Sequence, residues 1–146
     1  LLYRENQYVD ILLQEYIKTD YDVRVIVVGG EIMGAMKRPI AEGDFRSNVS
    51  QGSEPEVHEL TKLEAKESLR AAKAVNCDIA GVDFIPTKNR DKDVPFFIEV
   101  NSTPGLVGIE STFADSQIKK SLKKEKGKFS ITTEILKIYM NRDNWT

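Results

Sequence analysis

The chain has 146 residues, a net charge of −2, and 40% apolar against 30% charged residues. That is enough for one domain with a real core, in an ordinary globular balance, and nothing in it argues for a nucleic-acid partner. One cysteine, Cys77, excludes an internal disulfide and a cysteine-based zinc site; one histidine, His58, excludes a His-rich metal cluster and leaves no Ser-His-Asp pairing. No apolar run approaches the roughly 20 residues of a membrane span and no signal peptide is evident, so a cytoplasmic location is expected. The first residue is Leu1 and not an initiator Met, which suggests a piece of a longer protein.

Residues 9–17 are an apolar run that ends in Gln14, Glu15 and Tyr16. They read as a buried strand with those three residues at its exit. Residues 23–28, Val-Arg-Val-Ile-Val-Val, are the strongest strand signal in the chain. Gly29-Gly30 then supplies a two-residue hairpin turn, and the return strand runs from Glu31 to Lys37 or Arg38. An ideal turn sets Asp22 opposite Lys37 and Arg24 opposite Ala35. Charged residues on one face of an apolar hairpin suggest a polar cleft; a solvated sheet face is the alternative.

Residues 39–56 lack periodicity and contain Pro39, Gly43, Gly52 and Pro55. Such a long loop is usually functional or mobile. Within it Arg46 is a planar cation suited to phosphate or carboxylate, with Ser47 and Asn48 adding hydrogen-bonding groups; the alternative is a linker with incidental polar residues. Residues 61–75 are predicted to be a helix. Thr61 caps it, Glu64 completes a capping box, and Ala65, Leu69, Ala72 and Val75 form its apolar stripe. His58, just before it, reads as a surface residue, and Cys77, just after, as a small buried hydrophobe.

Residues 79–85, Ile-Ala-Gly-Val-Asp-Phe-Ile, are a short apolar strand with one acid, and Ala80, Val82 and Phe84 are expected to face the helix. A polar link, residues 87–94, leads to Phe96-Phe97-Ile98-Glu99-Val100-Asn101, which stops at Pro104-Gly105. Glu99 and Asn101 are two apart, so a strand puts both on one face, with Phe96, Ile98 and Val100 on the other. A carboxylate beside a carboxamide makes a hard-oxygen site for a cation such as Mg²⁺. If the two strands pair symmetrically about Asp91, Asp83 falls opposite Glu99. Facing carboxylates repel, so a cation between them is expected; the bland alternative is two ordinary acids at strand edges. A loop then enters a short helix near Glu110, residues 119–128 are strongly basic and read as a solvated face, and Ser130 caps a last helix, Ile131 to Met140, with Ile131, Ile135, Ile138 and Tyr139 on its apolar side. Residues 141–146 are expected to fray.

Five motifs occur in order: Gln14-Glu15-Tyr16-Ile17, Asp22-Val23-Arg24, Gly43-Asp44-Phe45-Arg46-Ser47-Asn48, Ala80-Gly81-Val82-Asp83, and the run from Glu99 through Pro104-Gly105 to Glu110. Together they resemble the C-terminal part of the ATP-grasp ligase superfamily, specifically its RimK-type α-L-glutamate ligases, over residues 9 to about 113. The resemblance implies an α+β fold, the C-terminal subdomain of an ATP-grasp fold, mainly antiparallel sheet with flanking helices. Residues 1–146 are then a single domain, without the lysine-bearing lid subdomain and the N-terminal domain of the family. The implied reaction is amide formation: ATP phosphorylates a carboxylate and an amine attacks the acyl phosphate, with glutamate or a similar amino acid joined to a protein, peptide or small-molecule acceptor.

By the same resemblance Glu15 and Tyr16 meet the adenine, Asp22 lies near the ribose or a phosphate-bound cation, and Arg46, Ser47 and Asn48 bind the nucleotide, with Arg46 stabilising charge on the transferring phosphoryl group. Asp83, Glu99 and Asn101 match ligands of Mg²⁺ or Mn²⁺, with two ions expected. Arg38 is implied at the phosphates. The ideal hairpin register turns Lys37 to that face instead, and a β-bulge would reconcile the two. The alternatives are another ATP-grasp amino-acid ligase, acting on a carrier protein in lysine or arginine biosynthesis or making glutathione-like peptides, and a non-catalytic nucleotide- or metal-binding module. Assembly with further copies of the chain is left open, and the chain alone is expected to fold without ligase turnover.

Overall fold

The structure, a computed structural model, describes residues 11, 13–40, 55–106, 108–109 and 130–140. Five strands, β1 (Tyr21–Val28), β2 (Glu31–Pro39), β3 (Glu56–Val57), β4 (Ile79–Ile85) and β5 (Phe96–Asn101), form one sheet in the order β3-β2-β1-β4-β5. All four pairings are antiparallel. Among the described residues the helices α1 (Lys62–Ala74) and α2 (Ile131–Met140) flank it. The α+β arrangement expected from the sequence is the one observed. Among the described residues no helix is long and apolar enough to cross a membrane.

β1 is the centre of the sheet and is apolar on both faces for most of its length. Val23, Val25 and Val27 join Ala35, Ala80, Val82 and Phe84 in a core closed by Ala72 and Leu69 of α1. Ile26, Val28 and Met36 point the other way, into a second core with Ile109 and Ile131. Each fully buried side chain of this size stabilises by about 1.5–3 kcal/mol. Among the described residues this second core covers one end of that face of the sheet. Its other end carries Asp22, Arg24, Arg38, Asp83 and Glu99, and that is where the candidate site lies.

Gly29 and Gly30 take φ of 60° and 81°, the left-handed values that a two-residue hairpin requires. Two residues later the register departs from the ideal. Val27 pairs with Ile32 but Ile26 pairs with Gly34, so one residue, Met33, is extra. From there on Asp22 faces Arg38 and Arg24 faces Met36. The expected pairings of Asp22 with Lys37 and Arg24 with Ala35 are thus corrected by one residue, by a β-bulge.

α1 begins as expected. The Thr61 side chain accepts from the Glu64 N–H, and the Glu64 carboxylate accepts from the Thr61 N–H. Its buried face is more polar than the expected stripe: Glu64, Glu67, Ser68 and Ala72 are the buried residues. Val75 is exposed, because it is the C-cap and the chain turns away at Asn76, φ 53°. Cys77 is partly buried against the first core. In α2, Ile131 is buried and Ile135 packs beside it; the side chains of Ile138 and Tyr139 lie outside the described set, as do residues 119–128 and 141–146.

Three further expectations are corrected. Residues 11 and 13–17 form no strand; Leu13 is 89% exposed and Ile11 and Tyr16 are also exposed. β1 already has a partner on each edge, so no edge of it is left for them to join. Glu56–Val57 forms a short strand on β2, at the end of what read as a loop. His58 is not a surface residue. Its side chain is 7% exposed and its ring lies against those of Tyr21 and Phe84.

Candidate functional site

The β4–β5 hairpin places Asp83 opposite Glu99, as the symmetric pairing predicts. The same ladder puts Gly81 opposite Asn101. On the other side of β4, Asp83 faces Arg24 of β1. Arg24, Asp83 and Glu99 thus form one row across three strands. β5 then bulges, so that Phe84 pairs with Phe97 and their rings meet edge to face with centroids 6.0 Å apart. Phe96 and Ile98, expected on the buried face with Val100, are instead 51% and 45% exposed. Of that trio only Val100 packs against the core.

Charges alternate along the cleft. Arg38 donates twice to Asp22, Nε to Oδ1 at 2.7 Å, and once to Asp83 Oδ2 at 2.8 Å. Arg24 donates to both oxygens of Asp83, at 2.8 and 2.6 Å, and reaches Glu99 Oε1 at 3.5 Å. The Arg24 guanidinium thus bridges Asp83 and Glu99. Burial works to lower the Arg38 pKa, but its hydrogen bond with Asp22 and the charge of Asp83 outweigh it and the value is raised. Arg38 stays charged at any ordinary pH, and with it the buried acids keep a counter-charge.

These side chains line a cavity of about 520 Å³, within the range of small-molecule sites. Its lining mixes charged side chains, Asp22, Arg24, Arg38, Asp83 and Glu99, with largely apolar ones, Tyr16, Ile40, Ile85, Phe96 and Ile98, and Glu15 also lines it. A flat apolar group can lie against the apolar side chains while an anion meets the arginines. Glu15, Tyr16, Asp22, Arg38, Asp83 and Glu99 are thus brought to one cavity. Arg46, Ser47 and Asn48 lie outside the described residues. Arg24 was legible as a charge on the cleft face but not as the bridge between the two acids. Its signal was the spacing of Asp22 and Arg24, two apart on one strand.

The oxygen donors suit a hard cation. Asp83 and Glu99 face each other, and Asn101 follows Glu99 on the same face. Asn101 Oδ1 accepts from the Thr103 N–H at 2.8 Å, which fixes the amide at the strand's end. Among the described residues no three His, Cys, Asp or Glu side chains are grouped to hold a metal by themselves. Two carboxylates and an amide fit an ion such as Mg²⁺, which keeps waters and takes substrate phosphates as its remaining ligands.

A second polar cluster holds the far end of the β4–β5 hairpin. Arg90, in its loop, donates to both oxygens of Glu64 at 2.8 Å and to the Glu59 carbonyl at 2.6 Å. Its Nη2 also lies 2.8 Å from His58 Nε2, which accepts, because a guanidinium only donates. The Glu64 carboxyl is buried, which works to raise its pKa, yet the Arg90 hydrogen bonds and the Thr61 N–H hold it at about 2. The capping box of α1 is thereby tied to the hairpin that carries Asp83 and Glu99. Sequence reading missed Arg90 and the burial of His58, since neither pairing is local.

A family model described as a RimK-like ATP-grasp domain matches residues 4–124. A probable alpha-L-glutamate ligase of Chromohalobacter salexigens is 46% identical over 104 residues, 70% of this chain and 33% of that one. A probable alpha-L-glutamate ligase 2 of Shewanella denitrificans is 38% identical over 131 residues, 81% of this chain and 42% of that one. The chain therefore spans 33–42% of the length of these curated relatives. Among solved structures it resembles the ATP-grasp ligase PsnB complexed with a phosphomimetic variant of minimal precursor, Mg and ADP, with TM-score 0.51 and 25% identity over 66% of this chain and 29% of that one. It also shares the fold of the macrocyclase MdnC bound with precursor peptide MdnA from Microcystis aeruginosa, with TM-score 0.57 and 18% identity over 86% of this chain and 34% of that one. The motifs, the antiparallel sheet and these matches agree, and the chain belongs to the RimK-like ATP-grasp family.

Proposed function

We propose that the chain supplies the metal-holding and nucleotide-facing part of an ATP-dependent carboxylate–amine ligase of RimK type, which joins glutamate or a similar amino acid to a protein or peptide acceptor through an acyl phosphate. The observation that carries this reading is the row Arg24–Asp83–Glu99 beside Asp22 and Arg38 in a cavity that Tyr16, Ile40, Ile85, Phe96 and Ile98 also line. A nucleotide needs both kinds of surface, an apolar one for the base and a charged one for the phosphates.

In this reading Tyr16, Phe96 and Ile98 offer the surface against which adenine lies, and backbone groups near Glu15 and Tyr16 meet its polar edge. Arg38, anchored by Asp22, faces the phosphates as a fixed positive charge that needs no reorganisation when negative charge develops. Arg46, Ser47 and Asn48 complete the phosphate side, with Arg46 on the transferring group. Asp83, Glu99 and Asn101 would hold Mg²⁺ or Mn²⁺, two ions in all, whose chemistry is to neutralise the phosphate oxygens. The same reading takes residues 1–146 as one domain acting in the cytoplasm. The ATP-grasp ligase PsnB was solved with Mg, ADP and a precursor variant, which supports a nucleotide, a divalent cation and a peptide as ligands of this site too.

The test is ADP release with Mg²⁺, glutamate and a panel of amine acceptors, by the longest polypeptide that carries these residues, alongside Asp83→Ala and Glu99→Ala. Acceptor-dependent release lost in both variants supports the proposal. Release that survives both undiminished refutes the metal assignment.

A further inference from the structure

We propose that Arg24 is a resident counter-cation of the Asp83–Glu99 pair, which a divalent ion must displace to bind there. The inference rests on the reading of these acids as metal ligands and deepens it. Arg24 and such an ion want the same oxygens. Its guanidinium uses Asp83 Oδ1 and Oδ2 and reaches Glu99 Oε1. Asp83 Oδ2 is also taken by Arg38, so both of its usual acceptor positions are filled. An ion bound to Asp83 and Glu99 would stand beside a like charge a few ångströms away, and that repulsion is large near a protein surface.

Of the two arginines, Arg24 is the one able to leave. The Arg38 side chain is 7% exposed and is held by Asp22 through two hydrogen bonds. The Arg24 side chain is 16% exposed, holds Asp83 by two hydrogen bonds on a carboxylate that Arg38 also serves, and reaches Glu99 only at 3.5 Å. Asp83 keeps Arg38 when Arg24 swings out, so it is never left uncompensated. Arg24 thus keeps two facing carboxylates from repelling each other, and it weakens the grip of the site on a bare divalent ion.

The experiment is Mn²⁺ binding to the chain, followed by electron paramagnetic resonance, with Arg24→Met, Arg24→Lys and Glu99→Gln alongside. Arg24→Met should bind Mn²⁺ about tenfold more tightly than the unmodified chain, and Arg24→Lys, which keeps the charge, should stay near it. Arg24→Met should also melt earlier in chelator and gain more thermal stability from Mn²⁺ than the unmodified chain does. If the variant is unfolded in chelator, folding on addition of Mn²⁺, read by circular dichroism, supports the proposal; remaining unfolded at saturating Mn²⁺ overturns it. Equal or weaker Mn²⁺ binding by a folded Arg24→Met overturns the role of Arg24 and leaves the ligand assignment standing, provided Glu99→Gln lowers the affinity. Absence of binding in every form, or binding untouched by Glu99→Gln, overturns the ligand assignment and the inference together.

Discussion

Asp22 and Arg38 face each other across β1 and β2 because β2 carries one extra residue, Met33, near its start. Without it Lys37 would stand opposite Asp22, and the pair that is hydrogen-bonded at 2.7 Å would point to opposite faces. Arg38 serves Asp22 and Asp83 at once, and both acids are almost fully buried. Arg38→Met therefore leaves two buried carboxylates short of a partner and should destabilise the fold by about 3–5 kcal/mol. Urea denaturation at neutral pH measures it. The double variant Asp22→Asn, Arg38→Met should recover part of the loss, because one of the stranded charges is gone. Equal stability of the single variant and the unmodified chain would rule out the shared-partner account.

The Glu64–Arg90 contact makes a prediction about acid. The Glu64 carboxyl, 1% exposed, sits at about 2 in the fold against an ordinary 4.5. A folded pKa below the unfolded one means that the folded state favours the charged form. The stability from it is fully present above pH 4.5 and is lost as pH falls toward 2. Its size at neutral pH is about 3 kcal/mol. Urea midpoints should fall between pH 6 and pH 3 in the unmodified chain and change less in Glu64→Gln. Parallel pH profiles in the two would show that Glu64 is not the group responsible.

Gly81 lies where the turn after β5 crosses the sheet. A Cβ built there would come within 2.7 Å of Pro104 Cβ, closer than two carbons can approach. Gly81→Ala must push the turn away, and Asn101 and Thr103, joined by the Oδ1–N–H bond, go with it. The expected cost is about 1–3 kcal/mol, seen as a lower thermal midpoint, together with weaker Mn²⁺ binding. An unchanged midpoint would mean that the turn is free to lift, contrary to its packing on β4.

What could be read in the sequence was what local pattern controls. The Gly29-Gly30 turn, the capping box at Thr61 and Glu64, and the polar link between β4 and β5 each carry their own chemistry, and the last fixed Asp83 opposite Glu99. The bulge at Met33 was less visible, although Gly34 inside a strand is a recognised sign of one, and the conflict between Lys37 and Arg38 pointed to it. The apolar run misled at residues 11 and 13–17 because apolar composition alone was taken for burial, when the two edges of β1 go to β2 and β4. His58 and Arg90 were missed for a different reason. They are 32 residues apart, and their contact exists only once α1 has docked beside the hairpin.

The chain by itself should bind nucleotide weakly and form no amide. Tyr16, Phe96 and Ile98, which line the cavity, are all exposed among the described residues. On that geometry water reaches any group held there. An acyl phosphate in such a site would be hydrolysed before an amine could attack, since protecting a reactive intermediate requires that water be excluded. With ATP, Mg²⁺, glutamate and an acceptor amine, mass spectrometry of the acceptor should show no added residue, while Mg²⁺-dependent ADP binding to the same preparation should be detectable by calorimetry and reduced in Glu99→Gln. Amide formation by the 146-residue chain would mean that its open cavity closes around substrates in a way the exposed lining does not suggest.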